Sequence, residues 1–274
     1  MYNLNMTWRA LGAVAIALLF TTAVFAQQPV RIRGQIEKTD GSTLSLKTRD
    51  GSMLDVKVAD DARVAALVKA SLADCGELPA RKREDSTLAE DEAGLFFHDG
   101  TERPINRPQD PEEQHLYYSG KQKEYTVKND VVIDEPCKIR FLSDTVEGKK
   151  NDKRLADESG YRVPQGSVLA QDAGFQGFRL AGVAILQPRK KPRGGELSYA
   201  DKVRNRLISS IRVRIEHAIG GVKRYRIVKD KLRNWKPGFR DLVFETCSGL
   251  HNFRLNFRPW HYKPVTYIEH LLKS

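Results

Sequence analysis

The sequence predicts an α/β chain: a mixed sheet with flanking helices, preceded by a small β-meander. Three observations predict it. Residues 30–59 alternate apolar and polar side chains between Asp-Gly pairs, the pattern of short antiparallel strands. From residue 93 onward three strand-like stretches come in succession, and helix-like and strand-like stretches then alternate. Finally Leu207, Ile211, Ile215, Ala218 and Val222 recur at the helical period.

Composition sets the outer limits. A chain of 274 residues with 40% hydrophobic and 30% charged residues can bury a sizeable core and is not a polytopic membrane protein. The net charge is +11, and its placement matters more than its size. Residues 202–274 hold 17 Lys and Arg against 5 Asp and Glu, while the rest of the chain is close to neutral. A basic lobe beside a neutral body implies a polyanionic partner, nucleic acid before acidic membrane. Cys75, Cys137 and Cys247 are too few and too far apart for a disulfide framework or a zinc site.

The elements follow in order. In residues 1–26, Arg9 precedes an apolar run that ends in Ala23-Val24-Phe25-Ala26, the layout of an export signal and shorter than a membrane span. Such a segment implies export to the periplasm or retention at the inner membrane. Residues 27–75 are expected to form a truncated meander with tight turns at Asp40-Gly41 and Asp50-Gly51, then a helix over residues 60–73. Residues 76–92 read as a charged, solvated linker that includes Arg81, Lys82 and Arg83. The main domain is expected over residues 93–260, with a tail over 261–274.

Within that domain a strand over residues 93–97 stops at His98-Asp99-Gly100-Thr101, setting Asp99 at the C-terminal tip of a central strand. Open α/β sheets place their chemistry there. Strands over 123–134 and 138–143 follow, then a helix over 152–159 and a fourth strand over 167–171 that ends in Asp172. A fifth strand, 181–186, leads through the basic loop of Arg189, Lys190 and Lys191 into a helix over 199–219. Three hairpin-connected strands followed by alternating helix and strand is the order of a ribonuclease-H-like domain.

On the last helix Arg212, Glu216 and Lys223 fall within about 40° of one another. An acid among bases is ordinarily a solvated ion-pair face. The set changes that. If the strands bearing Asp99 and Asp172 are parallel neighbours, Asp99, Asp172 and Glu216 converge at one end of the sheet. Such a cluster repels itself unless cations neutralise it, and oxygen ligands suit Mg²⁺ or Mn²⁺. Two such ions can activate a water or a 3′-hydroxyl for in-line attack at a phosphodiester. The histidines show no ligand spacing, and Trp235 with residues 239–257 reads as core helix.

The stretches FHDGTERPINRPQD, YYSGKQKEYTVKN, NDKRLAD, QDAGFQG and RVRIEHAIGGVKRYRI are recognisable. Over residues 78–260 the chain resembles the catalytic domain of bacterial insertion-sequence transposases of the DDE type, related to the Harbinger-like DDE endonucleases. The family's second aspartate lies in Asp-x-Gly-Phe/Tyr, matched by residues 172–175. Its third motif is Tyr, two residues, Arg, three residues, Glu, six residues, Lys. Arg212, Glu216 and Lys223 match it, and Ser209 replaces the tyrosine, which bears on substrate positioning.

The resemblance thus implies Asp99, Asp172 and Glu216 as catalytic metal ligands for DNA hydrolysis and strand transfer, with two divalent ions and no small-molecule cofactor. Asp152 rivals Asp172 for the second place. Relatives commonly read His-Asp-Lys there, and with Asn151 in place of the histidine we read a helix start with Asp152 supporting the site. Arg212 and Lys223 would steady a phosphate or the third carboxylate. Lys121, Arg189, Lys190, Lys191, Lys223 and Arg224 would contact DNA, and synapsis of two DNA ends implies a homodimer.

Transposases of this kind carry a helix-turn-helix region ahead of the first aspartate, where this chain has the signal-like segment and meander. We therefore expect a chimeric reading frame joined near residues 74–78, without end recognition and deficient in specific transposition. The competing expectation is an exported non-enzymatic protein that binds polyanions. A non-specific nuclease would share the same triad.

Overall fold

The computed structural model describes residues 34–40, 43–48, 50–57, 61–81 and 92–273. The signal-like segment, and Lys82 and Arg83 of the expected linker, lie outside the described residues. The chain divides into two compact units, residues 1–60 and 61–274.

In the first unit, β1 (Gly34–Asp40), β2 (Thr43–Thr48) and β3 (Met53–Lys57) form an antiparallel sheet in sequence order. The second turn needs its glycine: Gly51 has φ 83°, a left-handed conformation that costs glycine little. Asp50 braces that turn by accepting hydrogen bonds from Thr48 and Ser52, which hold its carboxyl below the usual range.

The second unit opens with α1 (Asp61–Asp74). The sequence groups this helix with the meander, but it packs against the last long helix of the second unit, α6 (Phe239–Phe257). Gly249 permits the approach, since a Cβ there would lie 3.0 Å from Leu72 and 2.8 Å from Leu78. An ion pair of 2.9 Å between Lys69 and Glu245 joins the same surfaces. Downstream, Arg81 is no solvated linker residue. It forms ion pairs with Asp241 at 2.6 Å and Asp144 at 2.8 Å, while Ala80 bridges to Phe141. Two carboxylates within reach outweigh the flexibility that the composition of this stretch suggests.

The sheet of the second unit runs β10-β9-β4-β6 and continues to β5, with β7 and β8 also pairing to β6. Its strands are β4 (Leu95–Pro104), β5 (Tyr118–Ser119), β6 (Glu124–Ile133), β7 (Ile139–Leu142), β8 (Val146–Glu147), β9 (Val168–Gln171) and β10 (Ala184–Leu186). β4 lies antiparallel to β6 and parallel to β9, and β9 is parallel to β10. The predicted order of three antiparallel strands and then parallel ones is present. β4 itself departs from expectation. It does not stop before His98 but runs on to Pro104, because β6 continues to pair with it after β9 has ended. The Asp-Gly pair at 99–100 reads as a turn locally, and tertiary pairing overrides it.

Side chains alternate across β4. Leu95 and Phe97 point into a core shared with Ile211, Ile215, Val243 and Phe244 of the long helices. Phe96 points into a second core with Phe141, Tyr161, Phe175 and Phe178. The first face carries α4 (Tyr199–Val222) and α6, and the second carries α3 (Asp152–Ser159). Short helices α2 (Pro111–Tyr117), α5 (Arg226–Lys229) and α7 (Ile268–Lys273) complete the unit. The expected apolar stripe of α4 is buried at Ile211, Ile215, Ala218 and Val222, joined by Ile208. Among the described residues no helix is long and apolar enough to cross a membrane.

Candidate active site

The position of the acidic residues follows from strand register. His98 on β4 pairs with Gln171 on β9, and that pair is the last between the two parallel strands. Asp99 and Asp172 are each the next residue, so they stand side by side where the strands part. The same alternation that sends Leu95 and Phe97 toward the long helices sends Asp99 there too. Asp99 is therefore in the middle of β4 and at the end of its parallel pairing, not at a strand tip.

Arg212 of α4 links the two acids. It is nearly buried, at 9% exposure, with Nη2 3.7 Å from Asp99 Oδ2 and Nη1 3.4 Å from Asp172 Oδ1. Asp99 Oδ1 accepts a hydrogen bond from Gly100 N at 2.9 Å. Burial pushes the Asp99 carboxyl up to about 6; Arg212 pulls it back and the charge of Asp172 adds to the rise. Asp172 caps the short turn Ala173–Phe175, accepting from Ala173 N at 2.7 Å, and its side chain is half exposed. Gln187 fixes the backbone there by donating to Asp172 O.

Glu216 lies one helical turn beyond Arg212 and is exposed. It shares the wall of a cavity of about 340 Å³ with Asp99, Lys121 and Lys223. Lys223 donates to the backbone carbonyl of Glu102 at 3.1 Å, and burial lowers its pKa. Among the described residues no three acidic, histidine or cysteine side chains are gathered closely enough to hold a metal ion. The pair Asp99 and Asp172 is assembled, with a guanidinium in the position of a counter-cation, and Glu216 stands nearby without joining it. Oxygen donors that already share a positive charge fit a hard divalent ion.

Asp152 lies across β4 from that pair, on the face of Gly100 and Lys128. Asn151 caps α3 by accepting from Lys153 N at 3.0 Å and Arg154 N at 3.3 Å, which suits it to a helix start. Asp152 then pairs with Lys128 at 2.8 Å. Its two oxygens would lie 3.2 and 3.1 Å from a Cβ at Gly100 and Gly174, so those glycines let it approach the backbone beside both aspartates. It faces Lys128, not Arg212.

Beneath the site lies a pair that sequence reasoning missed. His98 Nε2 and Asp130 Oδ1 are 2.5 Å apart, and both side chains are fully buried. Burial raises the Asp130 carboxyl, and His98 works against that rise. The available signal was period-two: His98, Gly100 and Glu102 share one face of β4, and Asp130 and Lys128 answer them on β6. Treating the histidines as structural fits both His98 and the buried His251, which meets the carbonyl of Cys137 at 3.0 Å.

The remaining basic residues are spread out. Lys121 is on the cavity wall. Arg189 is held by Asp201 at 2.6 Å, and its backbone by Asn205, whereas Lys190 and Lys191 are exposed in the adjacent loop. Arg224 is exposed and lines a separate cavity with Trp260 and Tyr262. Trp235 is part exposed beneath the Arg240 guanidinium, and residues 239–257 form the core helix expected of them.

The family described as DDE superfamily endonuclease matches residues 98–252. A protein from Microchaete diplosiphon described as "Probable transposase for insertion sequence element IS702" is 30% identical over 161 residues. The match covers 59% of this chain and 57% of the relative, so the chain spans little more than half of that protein's length. No solved structure matches.

Proposed function

The chain belongs to the DDE superfamily of endonucleases, and from that premise we propose that residues 93–260 form a ribonuclease-H-like catalytic domain that cuts and joins DNA phosphodiesters. Asp99, Asp172 and Glu216 are its carboxylates. The observation that carries this reading is the side-by-side placement of Asp99 and Asp172 around the Arg212 guanidinium. A motif in sequence could scatter in space. These two do not.

Mg²⁺ or Mn²⁺ bound there would supply Lewis-acid activation of a water or 3′-hydroxyl and charge neutralisation at the leaving oxygen. The chain's own residues do the rest. Asp99, set deep by β4, and Asp172, set open by the turn after β9, present oxygens from two directions. Glu216, one turn along α4 from Arg212, borders the same cavity and would supply the third carboxylate once an ion draws it in. Arg212 holds the two aspartates together and would be free to meet a phosphate oxygen once an ion takes its place between them. Lys223 and Lys121 line the same cavity and offer positive charge to the DNA backbone. Arg224 and the loop of Arg189, Lys190 and Lys191 extend that contact, and two copies of the chain would hold two DNA ends.

Nicking and strand transfer by the purified chain, with labelled linear DNA and Mg²⁺ or Mn²⁺, tests the reading. Activity should require the divalent ion and fall at least about a hundredfold in Asp99→Asn and Asp172→Asn. Full activity in either variant, or nicking that persists in excess chelator, would overturn it. Lys128→Met, which frees Asp152 from its partner, should reduce activity far less than either substitution.

A further inference from the structure

The DNA-cutting site has a neighbour. Glu216 and Gly220 line the cavity of Asp99 and also a second one, of about 720 Å³. The walls of the second cavity are Trp260, Tyr262, His217 and His261, with Arg224 at the rim and Gly220 and Gly221 as floor. Gly220, common to both linings, leaves the surface between them uncovered, since a Cβ there would meet nothing within 4 Å. Gly221 serves differently. A Cβ at that position would come within 2.6 Å of the His251 ring and 3.2 Å of Trp260, so its absence lets the indole settle against the helix.

The aromatic wall is held in place. His217 Nδ1 and Tyr262 Oη are 2.8 Å apart and the two rings are stacked. Tyr262 also lies under the Arg214 guanidinium at 4.8 Å, and Trp260 stands edge-on to His251. A buried ring needs no open cavity beside it. Rings that are fixed from behind, open in front, edged by the exposed Arg224 and bordering the proposed phosphodiester-cutting site match one ligand chemistry. A nucleobase offers a flat π-face to the rings, and its own phosphate can reach Arg224.

We infer that the cavity of Trp260, Tyr262 and Arg224 receives an unpaired nucleobase of the DNA strand whose phosphate occupies the Asp99–Asp172 site. This rests on the proposed DNA-cutting function and deepens it. Base pairs inside a duplex cannot enter such a pocket without being extruded, so single-stranded ends adjacent to the cut are the preferred substrate.

The test uses the full chain and two DNA probes, a blunt duplex and the same duplex carrying a short single-stranded overhang with 2-aminopurine next to the junction. Affinities are measured by anisotropy in Ca²⁺, and stacking by 2-aminopurine quenching. The overhang should bind about tenfold more tightly than the blunt duplex, with quenching. Trp260→Ala should bring the ratio close to one. Because Trp260 also packs against the core, Gly220→Gln is the second variant. It adds a side chain into open space on the surface the two cavities share, obstructs a strand that reaches from one to the other, and should abolish the preference without unfolding the chain. Equal binding of both probes by the unsubstituted chain, or a preference that survives both substitutions, would overturn the inference while leaving the DNA-cutting reading intact. Binding of neither probe would overturn both.

Discussion

Asp99 shows how an acid of the candidate site can work against the fold that holds it. Its carboxyl titrates at about 6 when folded, against 3.8 as the ordinary value, chiefly because β4 and α4 desolvate it. Between those two values the folded chain binds a proton that the unfolded chain has lost, so this residue's contribution favours folding at low pH and is lost as pH rises through about 6. Above that, the ionised group costs roughly 3 kcal/mol. Asp99→Asn should therefore raise the melting temperature of the metal-free protein at pH 7.5 and give no gain at pH 4, measured by calorimetry with chelator present. An equal gain at both pH values would exclude a titration origin. Asp99 and Asp172 were legible as acids from strand patterning and the Asp-x-Gly-Phe motif. The arginine between them was legible as a motif residue that would steady a phosphate or Glu216, but not as the link between the two aspartates, because that depends on where α4 crosses the sheet. For His98 and Asp130 the period-two pattern marks only the face of each strand; two polar residues on adjacent buried strands become a pair only once the register of β4 on β6 is known.

At the scale of elements, α4 bears two adjacent glycines with opposite duties. Gly221→Ala would drive a methyl into His251, whose ring is tied to the Cys137 carbonyl and cannot withdraw. It should destabilise by about 1–3 kcal/mol despite the better helix propensity of alanine. Gly220→Ala meets open space and should stabilise by up to about 1 kcal/mol. Urea melts of the two variants beside the parent check both signs, and equal shifts would mean that the close contact at Gly221 is relieved by movement of the helix. The helix itself was plain in the sequence, since an apolar stripe at period 3.6 extends over several turns. The length of β4 was not. Its second half is polar, and only the partner strand β6 makes His98 to Pro104 extended. The stretch around Arg81 misled for a related reason: charge-rich composition describes a linker and a set of ion pairs equally well until the opposing Asp241 and Asp144 are placed.

For the whole molecule, the division at residue 60 has a practical outcome. A chain beginning at residue 61 keeps α1 against α6 and should melt as cooperatively as the intact protein's second unit. One beginning at residue 76 uncovers the surface around Gly249 and loses the Lys69–Glu245 pair, and should be less stable by about 2–4 kcal/mol. Chemical denaturation of the two shortened chains decides the matter, and equal midpoints would mean that α1 contributes nothing to the second unit. The parallel pairing of β4 with β9 has another outcome, in time instead of space. Gly94 and Ser167, hydrogen-bonded at 3.2 Å where these strands begin, are 73 residues apart in the chain. Asp99 can find Asp172 only after that loop has closed, and Arg212 and Glu216 are made later still. A ribosome must therefore synthesise most of the protein before the carboxylates can meet. Non-local strand pairing is slow to form, so the acidic pair is withheld from the nascent chain until the body that positions it is nearly complete.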